Sequence, residues 1–168
     1  MNLLLCEPLT PDAFAPFGDV LSADLGQAES ANQGTAVRFN WAAALESRRA
    51  GAKPNLALFR AEPQSLPFTV TLLERHPHST QVFLPLVCSR YLVVVAPTLP
   101  SGDPDVSKLR AFLCGPGQGI NYACGTWHHP MVALDTPADL AMLAWEDGSK
   151  GDCEVRPLAE PLQVEAKS

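Results

Sequence analysis

Apolar and polar residues alternate along two stretches of the chain, which is the pattern of a half-buried strand. These stretches are Val37-Arg38-Phe39-Asn40-Trp41 and Phe68-Thr69-Val70-Thr71-Leu72-Leu73-Glu74. Other runs rich in branched and aromatic residues also predict strands, over 19–21, 56–60, 81–86, 91–96, 120–122, 131–134 and 139–145. Roughly eight to ten short strands separated by turn residues predict an all-β domain, either a closed barrel or a sandwich.

Helical signals are short. Thr10 is a predicted N-cap with Pro11 at the first helical position, and a nearby proline and glycine limit this helix to about one turn. Residues 45–52 predict one more short helical turn.

The remaining segments have weaker patterns. Residues 22–35 are small and polar and predict a long loop. Residues 106–112 fit either a helix capped by Asp103 or a strand, and the tail from Gly148 onward is polar without a regular period.

The composition is that of a folded chain with few charges. Its 168 residues are 46% hydrophobic and 18% charged, and the length suits one domain, predicted over 1–168. The net charge of −6 gives no attraction to nucleic acid or to an anionic membrane. No apolar run approaches the ~20 residues that cross a bilayer. Five scattered cysteines predict free thiols, so we expect a cytoplasmic protein that acts on a small molecule.

All four histidines lie in two short segments, Glu74–Gln81 and Gly125–Pro130. A chain with this distribution is expected to bring the two segments together, to bind a metal, to move protons or to pack. Adjacent strand residues point to opposite faces, so at most one of His128 and His129 faces a shared pocket.

The HxH pattern followed by a distant Gly-x-x-His resembles the two motifs of cupins, in which these histidines hold a metal inside a small β-barrel. The resemblance favours His128 over His129, because His128 fits the Gly-x-x-His spacing. Such a set of histidines can bind a divalent ion; the alternative is that the histidines act as acid–base or hydrogen-bonding groups. The candidate metal ligands are His76, His78, Gln81 and His128.

A fuller match links the chain to one family. It is carried by the segments 17–20, 37–39, 74–77, 80–81, 109–112, 118–122, 127–130 and 152–154. Together they resemble the ureidoglycolate lyase (ureidoglycolate hydrolase) family. The resemblance implies an all-β, cupin-like β-barrel with a few short helical turns, usually a homodimer. It also implies elimination of urea from ureidoglycolate to give glyoxylate, late in allantoin (purine) degradation, with nickel as the favoured divalent metal.

That reaction suits the residue types present. Ureidoglycolate carries a hydroxyl, a carboxylate and a urea nitrogen on one carbon, so its cleavage needs a base for the hydroxyl proton and an acid for the nitrogen. The candidate catalytic residues are His76, His128, His129 and Glu74. The candidate substrate-binding residues are Arg75 and Arg38 for the carboxylate, with Gln81, Asn121, Tyr122 and Trp127 around the rest.

The sequence also departs from the family pattern. His78-Ser79 stands where Leu-Gly is usual, Ala123-Cys124 replaces residues that are commonly basic, and Trp145-Glu146 stands where Asp-Arg is expected. Two other functions therefore stay open at this point. One is a different metal-dependent cupin enzyme, a dioxygenase or an isomerase, and the other is a cupin that binds small acids without catalysis.

Overall fold

Two β-sheets form a nearly closed barrel in the computed structural model, which describes residues 3–23 and 25–167. The described strands are β1 (Leu3–Leu5), β2 (Glu7–Pro8), β3 (Gly18–Leu21), β4 (Gln27–Ala31), β5 (Ala36–Asn40), β6 (Lys53–Ala61), β7 (Phe68–Arg75), β8 (Gln81–Val87), β9 (Arg90–Ala96), β10 (Arg110–Cys114), β11 (Gly119–Tyr122), β12 (Trp127–His128), β13 (Val132–Leu134), β14 (Ala138–Glu146) and β15 (Glu154–Glu165). One helix, α1 (Pro11–Phe14), and two 3-10 turns (Asn32–Gly34 and Val106–Lys108) complete the regular structure of this part of the chain.

The larger sheet has the order β1-β15-β7-β12-β9-β10-β2, with β13 also paired to β9. The smaller sheet has the order β3-β11-β8-β14-β6, and β4 and β5 form a separate hairpin. Antiparallel neighbours predominate, but β1 pairs with β15 and β2 with β10 in parallel. No helix in the two described ranges is long and apolar enough to span a membrane.

Strand β9 is buried on both faces, which explains its uninterrupted apolar sequence. Val93 and Val95 enter the cluster between the two sheets, where they meet residues of the smaller sheet such as Ile120 and Tyr122. The alternate residues of β9 enter a second apolar cluster on the outer face of the larger sheet, which contains Trp127. The two faces of this sheet therefore lead to different environments, and only the inner one faces the barrel interior.

The predicted all-β barrel with short helical turns is confirmed, as are the N-cap at Thr10 and the strands over 68–74 and 91–96. The choice at 106–112 resolves into a 3-10 turn followed by β10, so both alternatives were partly right. Asp103 caps no helix in the described structure.

Two local predictions were wrong, and a strand lies in the tail, for which no element was predicted. The predicted loop 22–35 contains β4, whose residues are almost all exposed and therefore carry no apolar period; Asp24 within it lies outside the described residues. The predicted turn 45–52 is not helical, because its backbone pairs with the segment 78–80. The polar tail contains the twelve-residue β15, whose pairing with β7 shifts register between Pro157 and Leu162 and so breaks the alternation.

Candidate active site

A carboxylate and two imidazoles converge inside the barrel, and we call Glu74, His76 and His128 the Glu-His-His cluster. Glu74 of β7 lies directly opposite His128 of β12, so both side chains point to the same face of the larger sheet. Oε1 of Glu74 is 3.5 Å from Nε2 of His128. One ligand atom from each of the three residues lies within 4.8 Å of the others.

Backbone carbonyl groups orient both imidazoles. Nδ1 of His76 lies 2.6 Å from the carbonyl oxygen of Asp152, and Nδ1 of His128 lies 2.9 Å from that of Thr126. A carbonyl oxygen can only accept, so each Nδ1 is assigned a proton, and in the neutral ring each Nε2 then carries a lone pair. Both Nε2 atoms are buried and have no hydrogen-bond partner among the described residues. His128 is further fixed by stacking on Tyr122, with ring centroids 4.0 Å apart.

The electrostatics of the cluster favour the forms that bind metal. When the ring of His128 is protonated and donates from Nε2 to Glu74, it holds the pKa of Glu74 below its usual value, although burial acts in the opposite direction. Burial lowers the pKa of His76, and the nearby His128 lowers it further. Glu74 is therefore ionised and His76 is neutral near pH 7. Two unpaired imidazole nitrogens beside a carboxylate fit a divalent cation of borderline softness.

A pocket of about 390 Å³ opens beside the cluster, and His76 belongs to its wall. The polar and charged residues that line it with His76 are Arg49, Ser79, Gln81, Glu146, Ser149, Lys150 and Asp152. Gln81 is buried there and donates from Nε2 to the sulfur of Met142, 3.4 Å away. Its Oε1 has no partner in the described part of the chain, so it is available to a ligand.

The two arginines predicted from the sequence lie away from this pocket. Arg75 points to the outer face of the sheet, where its guanidinium lies 4.6 Å from the ring centre of Trp127 and pairs with Glu154 at 2.8 Å. Trp127 is itself buried in the outer cluster. Arg38 is an exposed residue of the β4–β5 hairpin and pairs with Glu29 at 2.8 Å.

Of four more predicted site residues, Tyr122 stacks on His128, whereas Asn121, His129 and His78 have other neighbours. The hydroxyl of Tyr122 donates to the sulfur of Met131 at 3.8 Å, and the side-chain amide of Asn121 donates to Asp19 at 2.9 Å. His129 packs against Phe68, with ring centroids 5.2 Å apart. The side chain of His78 is exposed, and it is the backbone N–H that donates to the Asp152 carboxylate at 2.8 Å.

Sequence reasoning missed three residues beside the cluster: Arg49, Lys150 and Asp152. Asp152 lies in a segment, 152–154, that matched the family pattern, and this was the one available signal. Arg49 and Lys150 come from segments without a periodic pattern. They reach the pocket because one loop pairs with 78–80 and the other connects β14 to β15.

Comparisons with known proteins agree with one another. The sequence profile described as ureidoglycolate lyase matches residues 1–165. The chain is 47% identical over 143 residues to the ureidoglycolate lyase of Burkholderia mallei (strain NCTC 10229), covering 85% of this chain and 82% of that one. It is 39% identical over 155 residues to that of Pseudomonas syringae pv. tomato, covering 92% and 89%.

Among solved structures, a dTDP sugar isomerase from Desulfovibrio desulfuricans G20 superimposes with a TM-score of 0.52 at 18% identity. The match covers 86% of this chain and 87% of the isomerase. At this identity the likeness concerns the fold alone, and it confirms the expected cupin-like barrel.

Proposed function

This chain belongs to the ureidoglycolate lyase family, and we propose that its Glu-His-His cluster is the centre at which ureidoglycolate is split into glyoxylate and urea. The enzyme is a carbon–nitrogen lyase acting on a small molecule. The observation that supports this centre most directly is the pair of buried, unpartnered Nε2 atoms facing an ionised carboxylate beside a pocket.

We propose that Glu74, His76 and His128 hold a divalent cation. Imidazole nitrogen suits nickel, iron and zinc alike, and the family resemblance favours nickel among them. Such a cation, when bound, lowers the pKa of the substrate hydroxyl. The carbonyl oxygens of Asp152 and Thr126 keep the two Nδ1–H groups turned away from the cluster. The stacked ring of Tyr122 excludes water from one face of His128.

We assign the proton transfer to Glu74. Its Oε1 faces His128, which leaves Oε2 to take the hydroxyl proton and return it to the departing urea nitrogen. The lowered pKa of this carboxyl keeps it ionised before the reaction begins. Gln81 Oε1, which is buried on the pocket wall, accepts a hydrogen bond from the urea N–H groups.

Product analysis tests this function. The purified enzyme is expected to convert ureidoglycolate into glyoxylate and urea in equal amounts. A coupled assay measures each product. Release of ammonia instead of urea would contradict the lyase reaction. Oxygen uptake would point to a dioxygenase, and thermal stabilisation by glyoxylate without turnover would point to a binding protein.

Lys150 is the residue we propose for the substrate carboxylate. It lines the pocket and has no ion pair within the residues that the structure describes, whereas Arg49 is already paired with Asp147 at 2.7 Å. We expect Lys150→Ala to raise KM about tenfold with little change in kcat, because a hydrogen bond to a charged group contributes ~1.5–3 kcal/mol. Steady-state kinetics of glyoxylate release measures both constants.

Arg75→Ala is the matched control for Lys150→Ala. Arg75 lies on the outer face, paired with Glu154, so its removal is expected to leave KM within about twofold of the wild-type value. A higher KM for Arg75→Ala together with an unchanged KM for Lys150→Ala would place the carboxylate site elsewhere.

We further propose that the enzyme is a homodimer that associates through the outer face of the smaller sheet. Ala141 of β14 lies between Leu58 of β6 and Leu84 of β8, and this face also carries Leu56. Leu56 and Leu58 are 72% and 73% exposed, and Leu56 lines an apolar groove of about 610 Å³. A contiguous exposed apolar face of this kind is typical of an interface.

Light scattering after size-exclusion chromatography tests the dimer. The wild type is expected to have twice the 18.0 kDa mass of the chain. Leu58→Glu is expected to have the mass of one chain, because dimer formation would bury the unpaired charge of the new glutamate. Val155→Glu, which adds the same charge on the larger sheet, should remain dimeric. A monomeric wild type would contradict this interface.

We also propose a cytoplasmic location. All five cysteines are free, and two of them, Cys6 and Cys114, are buried in the apolar core. Free thiols are usual in a reducing compartment. Localisation of the tagged full-length protein by cell fractionation tests this, and recovery from an oxidising compartment would contradict it.

A further inference from the structure

We infer that Asp152 and Arg49 are positioning residues that set the orientation of His76 and thereby the affinity of the Glu-His-His cluster for a divalent cation. This rests on the proposed function, since it concerns the same cluster. Neither residue belongs to the cluster. Both act through the carbonyl oxygen that accepts the Nδ1–H of His76.

Asp152 is bound to the histidine segment at three points. Its carbonyl oxygen accepts from Nδ1 of His76 at 2.6 Å. Its carboxylate accepts the backbone N–H of His78 through Oδ1 at 2.8 Å and the hydroxyl of Ser79 through Oδ2. Because the side chain is fixed to 78–79, the carbonyl of the same residue is held against the ring of His76. Asp152 is buried, so solvent does not compete strongly for these bonds.

Arg49 connects this arrangement to the rest of the barrel. Its side chain is only 15% exposed, and Nη2 lies 3.6 Å from Oδ2 of Asp152. The same guanidinium pairs with Asp147 at 2.7 Å and donates to the carbonyl oxygen of Trp145 at 2.7 Å. Arg49 therefore binds the end of β14, the following connection and Asp152 at once. It also supplies the positive charge that a buried carboxylate requires.

The expected size of the effect follows from this indirect role. A residue that orients a metal-binding histidine through its second nitrogen typically changes metal affinity by 10–100-fold when it is replaced. The backbone carbonyl of Asp152 cannot be removed by substitution, but the side-chain bonds that hold it in position can. Loss of the Asp152 carboxylate or of the Arg49 guanidinium should leave His76 present but less well oriented.

Calorimetric titration of the chelator-stripped, full-length protein with Ni²⁺ tests the inference. We expect Asp152→Asn and Arg49→Gln to weaken the Kd by about 10–100-fold, and Arg49→Lys to recover part of the loss because it keeps the charge. Arg60→Gln is the control, since Arg60 forms an exposed pair with Asp139 on the other sheet. Its Kd should equal that of the wild type.

Thermal unfolding of the metal-free variants separates positioning from simple stability. A lower Tm with an unchanged Kd in both Asp152→Asn and Arg49→Gln would overturn the inference. If Asp152→Asn does not fold, Ser79→Ala removes one anchor of the same carboxylate and should also weaken the Kd. His76→Ala tests the metal centre itself, separately from the positioning role of Asp152 and Arg49. If it binds Ni²⁺ as the wild type does, the proposed metal centre fails, and the inference fails with it.

Discussion

Replacing His128 with alanine is expected to lower kcat/KM for ureidoglycolate by about 10²–10⁴-fold, the range over which a positioned acid–base or metal-binding group acts. His128 is 2% exposed and supplies one of the two unpartnered Nε2 atoms of the Glu-His-His cluster. Without it, Glu74 and His76 supply too few ligands to hold a cation in place. Steady-state kinetics of glyoxylate release gives the loss.

His129→Ala is the natural control, because it removes the same side chain one residue further along. The ring of His129 packs against Phe68, and its backbone N–H, which alanine retains, donates to the carbonyl oxygen of Val94 at 2.9 Å. We therefore expect its kcat/KM to remain within a few-fold of the wild-type value. If circular dichroism shows that both variants are folded and both lose kcat/KM equally, the cluster is not the reaction centre.

Removal of divalent metal by a chelator is expected to abolish turnover, with at least about a hundredfold loss, because metal assistance contributes several kcal/mol to such a step. Added Ni²⁺ should restore the activity. Mg²⁺ should not, since it prefers oxygen ligands over two imidazoles. Full activity at a metal content far below one ion per chain would contradict this account. The wild type before treatment serves as the reference.

Much of the fold could be predicted from the sequence because the central strands are buried in a regular way. Strand β7 alternates at its start, where Phe68 and Val70 pack into the outer cluster between exposed threonines, and β9 shows the continuous apolar run of a strand buried on both faces. The hairpin β4–β5 could not be predicted as a pair, because β4 is exposed on both faces. Strand β15 was missed for a similar reason, with an added shift of register against β7.

The site was only partly accessible to the same reasoning. The HxH and Gly-x-x-His spacings led to His76 and His128, which the structure brings together with Glu74. The spacing also suggested His78, but β7 ends at Arg75 and the chain turns at Pro77, so the alternation does not continue.

The residues around the cluster depend on contacts between distant segments. Arg49 and Asp152 are more than a hundred positions apart, and they meet because loop 41–52 and the β14–β15 connection pack together beside His76. No local pattern encodes such a contact. Arg75 shows the opposite case: it is next to His76 in sequence but faces away from it, because adjacent strand residues point to opposite faces.

The most direct test of the proposed centre is an anomalous difference map from a crystal of the enzyme grown with Ni²⁺, measured at the nickel absorption edge. We predict one strong peak per chain, about 2.0–2.2 Å from Nε2 of His76, Nε2 of His128 and a carboxylate oxygen of Glu74. A peak bound by other residues, or no peak at this cluster in a crystal of active enzyme, would contradict the assignment.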